Sequence, residues 1–215
     1  MICVSIARKA ATEVAKAAAG LKLAEIRIDA LASPKREDVE KIFRAGNGAK
    51  LIATCRPGAL TDEKRKGLLL AAIASGAAYV DVEVDAPEAY KKEIASAAKK
   101  AGCKLIVSFH DHNRTPPREE LSQIAGWCFE SGADICKIAC KANSREDAAR
   151  LLGLLGSGRK IAVVGMGKQG RITRIAAPLL GSPFTYASEG EGKETAEGQI
   201  GREKLGKILE AIKNA

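Results

Sequence analysis

The stretch Lys104-Leu-Ile-Val-Ser-Phe-His-Asp111 decides how the rest of the chain is read. It is an apolar, β-branched run that ends in two titratable residues, His110 and Asp111. Such a run reads as a buried strand. A helical stretch from Pro117 to Gly132 follows, and then Ala133-Asp-Ile-Cys-Lys-Ile-Ala139, a second apolar run with Lys137 near its end. Strand, helix, strand is the unit of a parallel sheet, and active sites in such sheets gather at the carboxyl ends of the strands. A lysine inside an apolar strand is the most informative residue of the segment. Burial disfavours its charged form, which suits an amine nucleophile.

The same alternation runs outward in both directions. Upstream, strands are predicted at Ile2 to Ala7, Leu23 to Asp29, Lys50 to Arg56 and Tyr79 to Asp85. Helices are predicted at Ala11 to Ala19, Lys35 to Ala45, Thr61 to Ser75 and Pro87 to Ala101. Downstream come a helix from Ser144, a plausible N-cap, to Leu155, and a strand from Lys160 to Val164. A Gly-rich turn, a helix near Ile172 to Leu180, a strand from Phe184 to Ser188 and a helix from Gly201 to Lys213 complete the chain. Gly20, Gly46, Gly76, Gly102, Gly132 and Gly158 each stand between a helix and the next strand, as helix C-caps should. Eight strand–helix units at a period of ~27 residues are the count of a (β/α)8 TIM barrel near its lower size limit. No composition break divides residues 1–215, so a single α/β barrel domain is expected.

Composition narrows the function classes. The chain is 46% hydrophobic, enough for a sizeable core. Its net charge of +9, from 35 basic and 26 acidic residues, suits a small anionic substrate. Nucleic acid fits less well, because the basic residues are dispersed over many helices with few aromatics among them. Six cysteines without a CxxC pair read as buried reduced thiols, and so as a cytoplasmic protein. With no long apolar run and no signal-like segment, neither a membrane partner nor secretion is expected. A homodimer is left open.

Alternate residues of a barrel strand point inward. Strand two then sends Glu25, Arg27 and Asp29 to one face, and strand three Thr54 and Arg56. Strand four sends Asp81, Glu83 and Asp85, strand five Ser108, His110 and His112, and strand six Lys137. Any one of these reads as a rim residue or a structural ion pair. Titratable groups from so many strands at one end read as a site, since buried charges are costly unless paired or used.

Glu25-Ile-Arg-Ile-Asp29, Thr54-Cys-Arg56, Ser108-Phe-His-Asp111 with Thr115-Pro116, Lys137-Ile-Ala139, and Met166-Gly167 leading to Arg174 follow one another at successive strand ends. This ordered set resembles type I 3-dehydroquinate dehydratase, the Schiff-base enzyme of the shikimate pathway, over nearly the whole chain. The resemblance implies that Lys137 forms an imine with the substrate ketone and that His110 is general base and acid. It implies further that Glu25, Arg27, Arg56 and Arg174 hold the hydroxyls and carboxylate, with Ser5 at the floor. The family's closing loop reads Ser-Ala-Pro-Gly-Gln. Here it is Thr195-Ala-Glu-Gly-Gln199, with Thr195 and Gln199 in the family's polar positions and Glu197 in place of proline. The family often places a Glu four residues after the strand-three Arg to orient the His; this chain has Leu60 there. By facing parity Glu83 is the candidate replacement.

The chemistry of the residue types agrees with that resemblance. An imine is an electron sink that acidifies the neighbouring carbon, and an imidazole near its usual pKa of ~6.5 can take that proton. No step requires a cofactor, and two histidines without a suitable third ligand make no metal site. Two enzymatic rivals remain. Gly165-Met-Gly-Lys-Gln-Gly170 is a GxGxxG after an apolar strand, with Glu189 downstream for a ribose contact, as in dinucleotide-binding oxidoreductases. The motif sits in the seventh of eight units, with too little chain after it for half a doubly wound sheet. A class I aldolase shares the barrel and the strand-six Lys, but His110 and Arg174 favour dehydration of a carboxylate-bearing ring.

Overall fold

Every strand foreseen from the alternation is present, and all eight run parallel in one sheet. The computed structural model describes residues 1–46 and 48–214. The strands are β1 Ile2–Ile6, β2 Leu23–Arg27, β3 Lys50–Thr54, β4 Tyr79–Glu83, β5 Lys104–Asp111, β6 Ile135–Lys141, β7 Ile161–Met166 and β8 Thr185–Ser188. Each is followed by its helix: α1 Ala11–Ala18, α2 Arg36–Arg44, α3 Asp62–Ala74, α4 Glu88–Ala101, α5 Arg118–Glu130, α6 Arg145–Leu152, α7 Gly167–Ala176 and α8 Arg202–Lys213. Ladders join neighbours in the order β7-β6-β5-β4-β3-β2-β1-β8, and the contact of β7 with β8 brings the sheet to a nearly closed (β/α)8 barrel.

Local chemistry starts and stops the helices where the sequence suggested. Thr61 caps α3 by accepting from the Lys64 N–H at 3.3 Å. Ser144 and Asp147 form a reciprocal capping box at the start of α6. Gly102 ends α4 in the left-handed region, at φ 68°. The turn before β3 puts its left-handed residue at Gly48 instead of the expected Gly46.

The core has two shells. Outward-facing strand residues such as Ile26, Val107 and Ile138 pack with helix residues such as Val14, Leu69, Ile94 and Leu121. Inside the barrel, Cys3, Leu23, Ile52, Ile106, Ile135, Ala162 and Phe184 make an apolar floor. Phe184 meets Tyr79 and Tyr186 edge-on, with ring centroids 6.2 Å and 5.6 Å away. This floor shields the polar layer above it, so that layer faces the carboxyl ends of the strands.

Strands two, three and four each end two residues earlier than expected, at Arg27, Thr54 and Glu83; two other boundaries that differ shape the site. β6 runs on to Lys141, two residues beyond the apolar run that ends at Ala139. The predicted Gly-rich turn after the seventh strand is in fact the end of β7 and the first turn of α7. The cause is a close backbone approach. A Cβ at Gly170 would lie 2.3 Å from the Gly165 carbonyl carbon, and one at Gly165 would lie 2.7 Å from the Gly170 Cα. Two glycines of the GxGxxG motif thus let α7 settle onto β7. The helix also serves backbone groups along the β7–β8 seam. The Gly165 N–H donates to Thr173 Oγ1 at 2.8 Å, and Arg174 donates to the Tyr186 carbonyl at 3.1 Å.

If the motif serves packing, Gly170→Ala costs about 3 kcal/mol or more, because backbone must move to admit the methyl. Gly126→Ala, inside α5 with open space around it, gains about 0.5–1 kcal/mol. Urea denaturation of the two variants checks the contrast, and equal effects would contradict it.

Candidate active site

The inward residues of β2 to β6 form one polar layer, and Lys137 sits at its centre. Its Nζ is 3.1 Å from Glu25 Oε1 and 3.2 Å from Asp81 Oδ2, and it lies over the Tyr186 ring, 4.4 Å from the centroid. The lysine is buried, as its place in an apolar strand implied, but it is paired on two sides by carboxylates that the burial argument left out. Glu25 is braced in turn by the hydroxyls of Ser5 at 2.7 Å and Thr54 at 3.3 Å. Burial works to raise the Glu25 carboxyl, yet Lys137 and Arg56 outweigh it and hold it at about 2. Burial opposes the charge of Asp81 too, and Arg56 and Lys137 again keep it well below the usual carboxylate range.

Arg56 is the hub that links this pair to the histidine. It grips Asp81 as a fork, with Nη1–Oδ1 and Nη2–Oδ2 both 2.8 Å, and its Nη1 also reaches Glu83 at 2.7 Å and Ser108 at 2.9 Å. Glu83 Oε2 lies 3.0 Å from His110 Nδ1, so facing parity located the partner that Leu60 cannot be; Leu60 packs against the outer core. Burial, then Arg56, pushes the His110 imidazole down to about 4, and Glu83 opposes them only in part. This corrects the expectation of an ordinary histidine. His110 is neutral at pH 7; with Glu83 ionised, the shared proton belongs on Nδ1, which leaves the Nε2 lone pair free.

Lys137, His110, Glu25, Arg27, Arg56, Arg174, Thr195 and Gln199 line a single cavity of about 330 Å³. Ser5 does not reach its wall and stands behind Glu25. The three arginines differ. Arg27 is forked onto Asp29, at 3.1 Å from Nε and 2.6 Å from Nη2, and Arg56 is committed as described. Arg174 is fully buried, and its Nε and Nη2 have no partner among the described residues. Burial and Arg171 lower it, but only to about 10, so it remains a cation at pH 7. Thr195 and Gln199 brace one another: the Thr195 N–H donates to Gln199 Oε1 at 2.7 Å, and Gln199 Nε2 donates to Thr195 Oγ1 at 3.0 Å.

Three residues at or beside the cavity were given no role by the strand pattern. His112 also lines the cavity, its ring stacked on that of His110 at 6.3 Å between centroids. Asp81 was placed inward but given no task. Tyr186 shares the inward parity of β8 with Phe184, and that parity is the signal that could have found it. Among the described residues no group of three or more His, Cys, Asp or Glu could hold a metal ion, and no helix is long and apolar enough to cross a membrane. The six cysteines are free and buried.

Fold and site together define a (β/α)8-barrel protein with a buried lysine and an imidazole–carboxylate pair at the carboxyl ends of its strands. Residues 2–215 match the family described as Type I 3-dehydroquinase, and the chain belongs to that family. A 3-dehydroquinate dehydratase of Methanosarcina mazei is 34% identical over 209 residues, covering 90% of this chain and 86% of the relative. One from Methanocaldococcus jannaschii is 34% identical over 217 residues, covering 97% of each. The crystal structure of the Aquifex aeolicus 3-dehydroquinate dehydratase superposes with a TM-score of 0.88 at 29% identity, covering all of both chains. The type I enzyme of Clostridium difficile, with covalent modified comenic acid, gives 0.87 at 25% identity over 99% of this chain and 92% of that one.

The His110 environment predicts its titration. By NMR its ring protons should shift with a midpoint near pH 4, gaining the proton only as pH falls through that value. Glu83→Gln removes a group that favours the imidazolium and so moves the midpoint lower still. A midpoint near 6.5 in the native protein would contradict the buried environment.

Proposed function

We propose that this chain dehydrates 3-dehydroquinate to 3-dehydroshikimate in the cytoplasm, through an imine on Lys137 with His110 as general base and then acid. The observation that carries this reading is the meeting, in one cavity, of the Lys137 amine, the His110 imidazole and a buried Arg174 with two unpartnered guanidinium nitrogens. A buried cation with free donors suits an anion, and a guanidinium fork suits a carboxylate. The charges also orient the ligand. Glu25, Asp81 and Glu83 concentrate negative charge along β2 and β4, and Arg174 stands on α7, so a carboxylate-bearing ring enters with its carboxylate at Arg174. Its ketone then faces Lys137, and its ring hydroxyls meet Glu25 and Arg27.

The steps balance. The Lys137 amine, in its neutral form, adds to the ketone carbon; the proton shed on addition passes to the departing oxygen, and loss of water with uptake of one proton gives the protonated imine. His110 Nε2 takes a proton from the adjacent carbon, and the electron pair moves into the imine to form an enamine. The enamine expels the hydroxyl from the next carbon, and the His110 imidazolium protonates it as it leaves. Water then hydrolyses the imine and releases the conjugated enone. An imidazole held at about 4 is a weaker base than a free one but a fully available one. Almost none of it is lost to protonation at pH 7, and once charged it is a strong acid towards the departing hydroxide. Glu83 fixes its ring, and Arg56 fixes Glu83.

Borohydride added with substrate should fix a ligand-sized mass on the peptide that carries Lys137. Modification at Lys141, or none, would remove the mechanism. His110→Ala should nearly abolish turnover while the trapped imine still forms, whereas His112→Ala loses at most about tenfold, ~1.4 kcal/mol of barrier. A larger loss for His112→Ala reverses the assignment.

Arg174→Lys keeps the charge and loses the fork, so KM should rise by about tenfold or more, at least ~1.4 kcal/mol. Arg171→Lys serves as the control, and the opposite ranking of the two variants would reject Arg174 as the clamp.

A further inference from the structure

The loop Thr195–Gln199 closes one side of the cavity with Thr195, Ala196 and Gln199, while Glu197 points outward. Its backbone rests on the start of α7. The Gly167 N–H donates to the Glu197 carbonyl at 3.1 Å, and a side chain at Gly198, where φ is 78°, would meet the Gly167 carbonyl oxygen at 2.4 Å. Gly167 is itself left-handed, at φ 80°, and a Cβ there would lie 3.1 Å from Lys141 Nζ. The Lys141 ammonium therefore sits in a notch beside Gly167, and from it forms an ion pair with the Glu197 carboxylate. Lys141 ends the strand that carries Lys137. One strand thus holds the central amine of the site and, four residues on, the anchor of the loop.

We propose that the Lys141–Glu197 ion pair is a latch that holds the Thr195–Gln199 loop over the bound substrate, with both residues acting by position and neither touching the reacting atoms. This rests on the functional reading above. The internal bracing of Thr195 and Gln199 makes the loop a preformed unit, so an attachment at Glu197 governs how long the unit stays seated. Lys141 is a quarter exposed and Glu197 mostly exposed, so the pair is weak and salt-sensitive, as suits a contact that must release product.

The test is a double-mutant cycle on the intact enzyme with Glu197→Gln, Lys141→Gln and the double variant, assayed at low ionic strength. Each single change is expected to raise KM by about fivefold, which converts to about 1 kcal/mol, with kcat within twofold of wild type. The double variant should be no worse than either single one, because one contact has been lost in each case. The reversed pair Lys141→Glu with Glu197→Lys should recover most of the loss. High salt should raise the KM of the wild type towards that of Glu197→Gln. An unchanged KM for Glu197→Gln, or additive losses in the double variant, would overturn the latch; additive losses would mean that Lys141 acts on the substrate directly. Borohydride trapping at Lys137 in the wild type separates the two readings. A wild type that neither turns over nor traps refutes the function, and one that does both beside an indifferent Glu197→Gln refutes the latch alone.

Discussion

The rest of the site depends on one constraint: an ammonium, Lys137, is held inside a barrel between the carboxylates of Glu25 and Asp81. Charges leave water at a cost of several kcal/mol each, and deleting one partner of such a set typically costs ~3–5 kcal/mol because the other is stranded. The surrounding structure answers that cost. Ser5 and Thr54 donate to Glu25, Arg56 forks Asp81, and Ser108 donates to Asp81 at 2.6 Å. The groups come from β1 through β6, and no local segment could assemble them. Parallel register does so, pairing Arg27 with Thr54, Thr54 with Asp81, Glu83 with Ser108 and Ser108 with Lys137.

Arg56 shows how the network also sets the state of the histidine. Its positive charge favours ionised Asp81 and Glu83 and disfavours a charged His110. The same guanidinium therefore keeps two carboxylates ready to accept hydrogen bonds and one imidazole ready to accept a proton. A group so fully engaged with protein carboxylates has little left for a ligand, in contrast with Arg174. That arginine lies in the part of the barrel where β7 and β8 come together, on a helix that approaches closely enough only because residues 165 and 170 are glycine. Barrel closure and anion recognition are thus tasks of one helix.

Much of this network is legible in the strand pattern. Inward parity puts Glu25, Arg27, Arg56, Asp81, Glu83, His110 and Lys137 on one face, and it offers Glu83 as the partner of His110. What parity cannot express is pairing. Arg56 reads as a free cation because a strand pattern shows direction but not the neighbours, Asp81 and Glu83, that arrive from another strand. His110 reads as an ordinary imidazole for the same reason, since its low pKa comes from burial and from an arginine more than fifty residues away in the chain. The GxGxxG run misleads in the opposite way. Glycine reports that something approaches the backbone closely, and here it is another glycine's backbone and a neighbouring lysine instead of a phosphate.

The sequence by itself determined the eight alternating units, the end of the barrel at which titratable groups gather and the residue types available there. These are local properties, carried by periods of two and of about four residues and by caps within a turn of each helix. The tertiary structure alone decided which charges neutralise one another, which arginine keeps free donors, where β6 and β7 end, and that Lys141 reaches Glu197. Those outcomes depend on distances of about 3 Å between residues far apart in the chain, where electrostatic energy changes steeply with separation and burial.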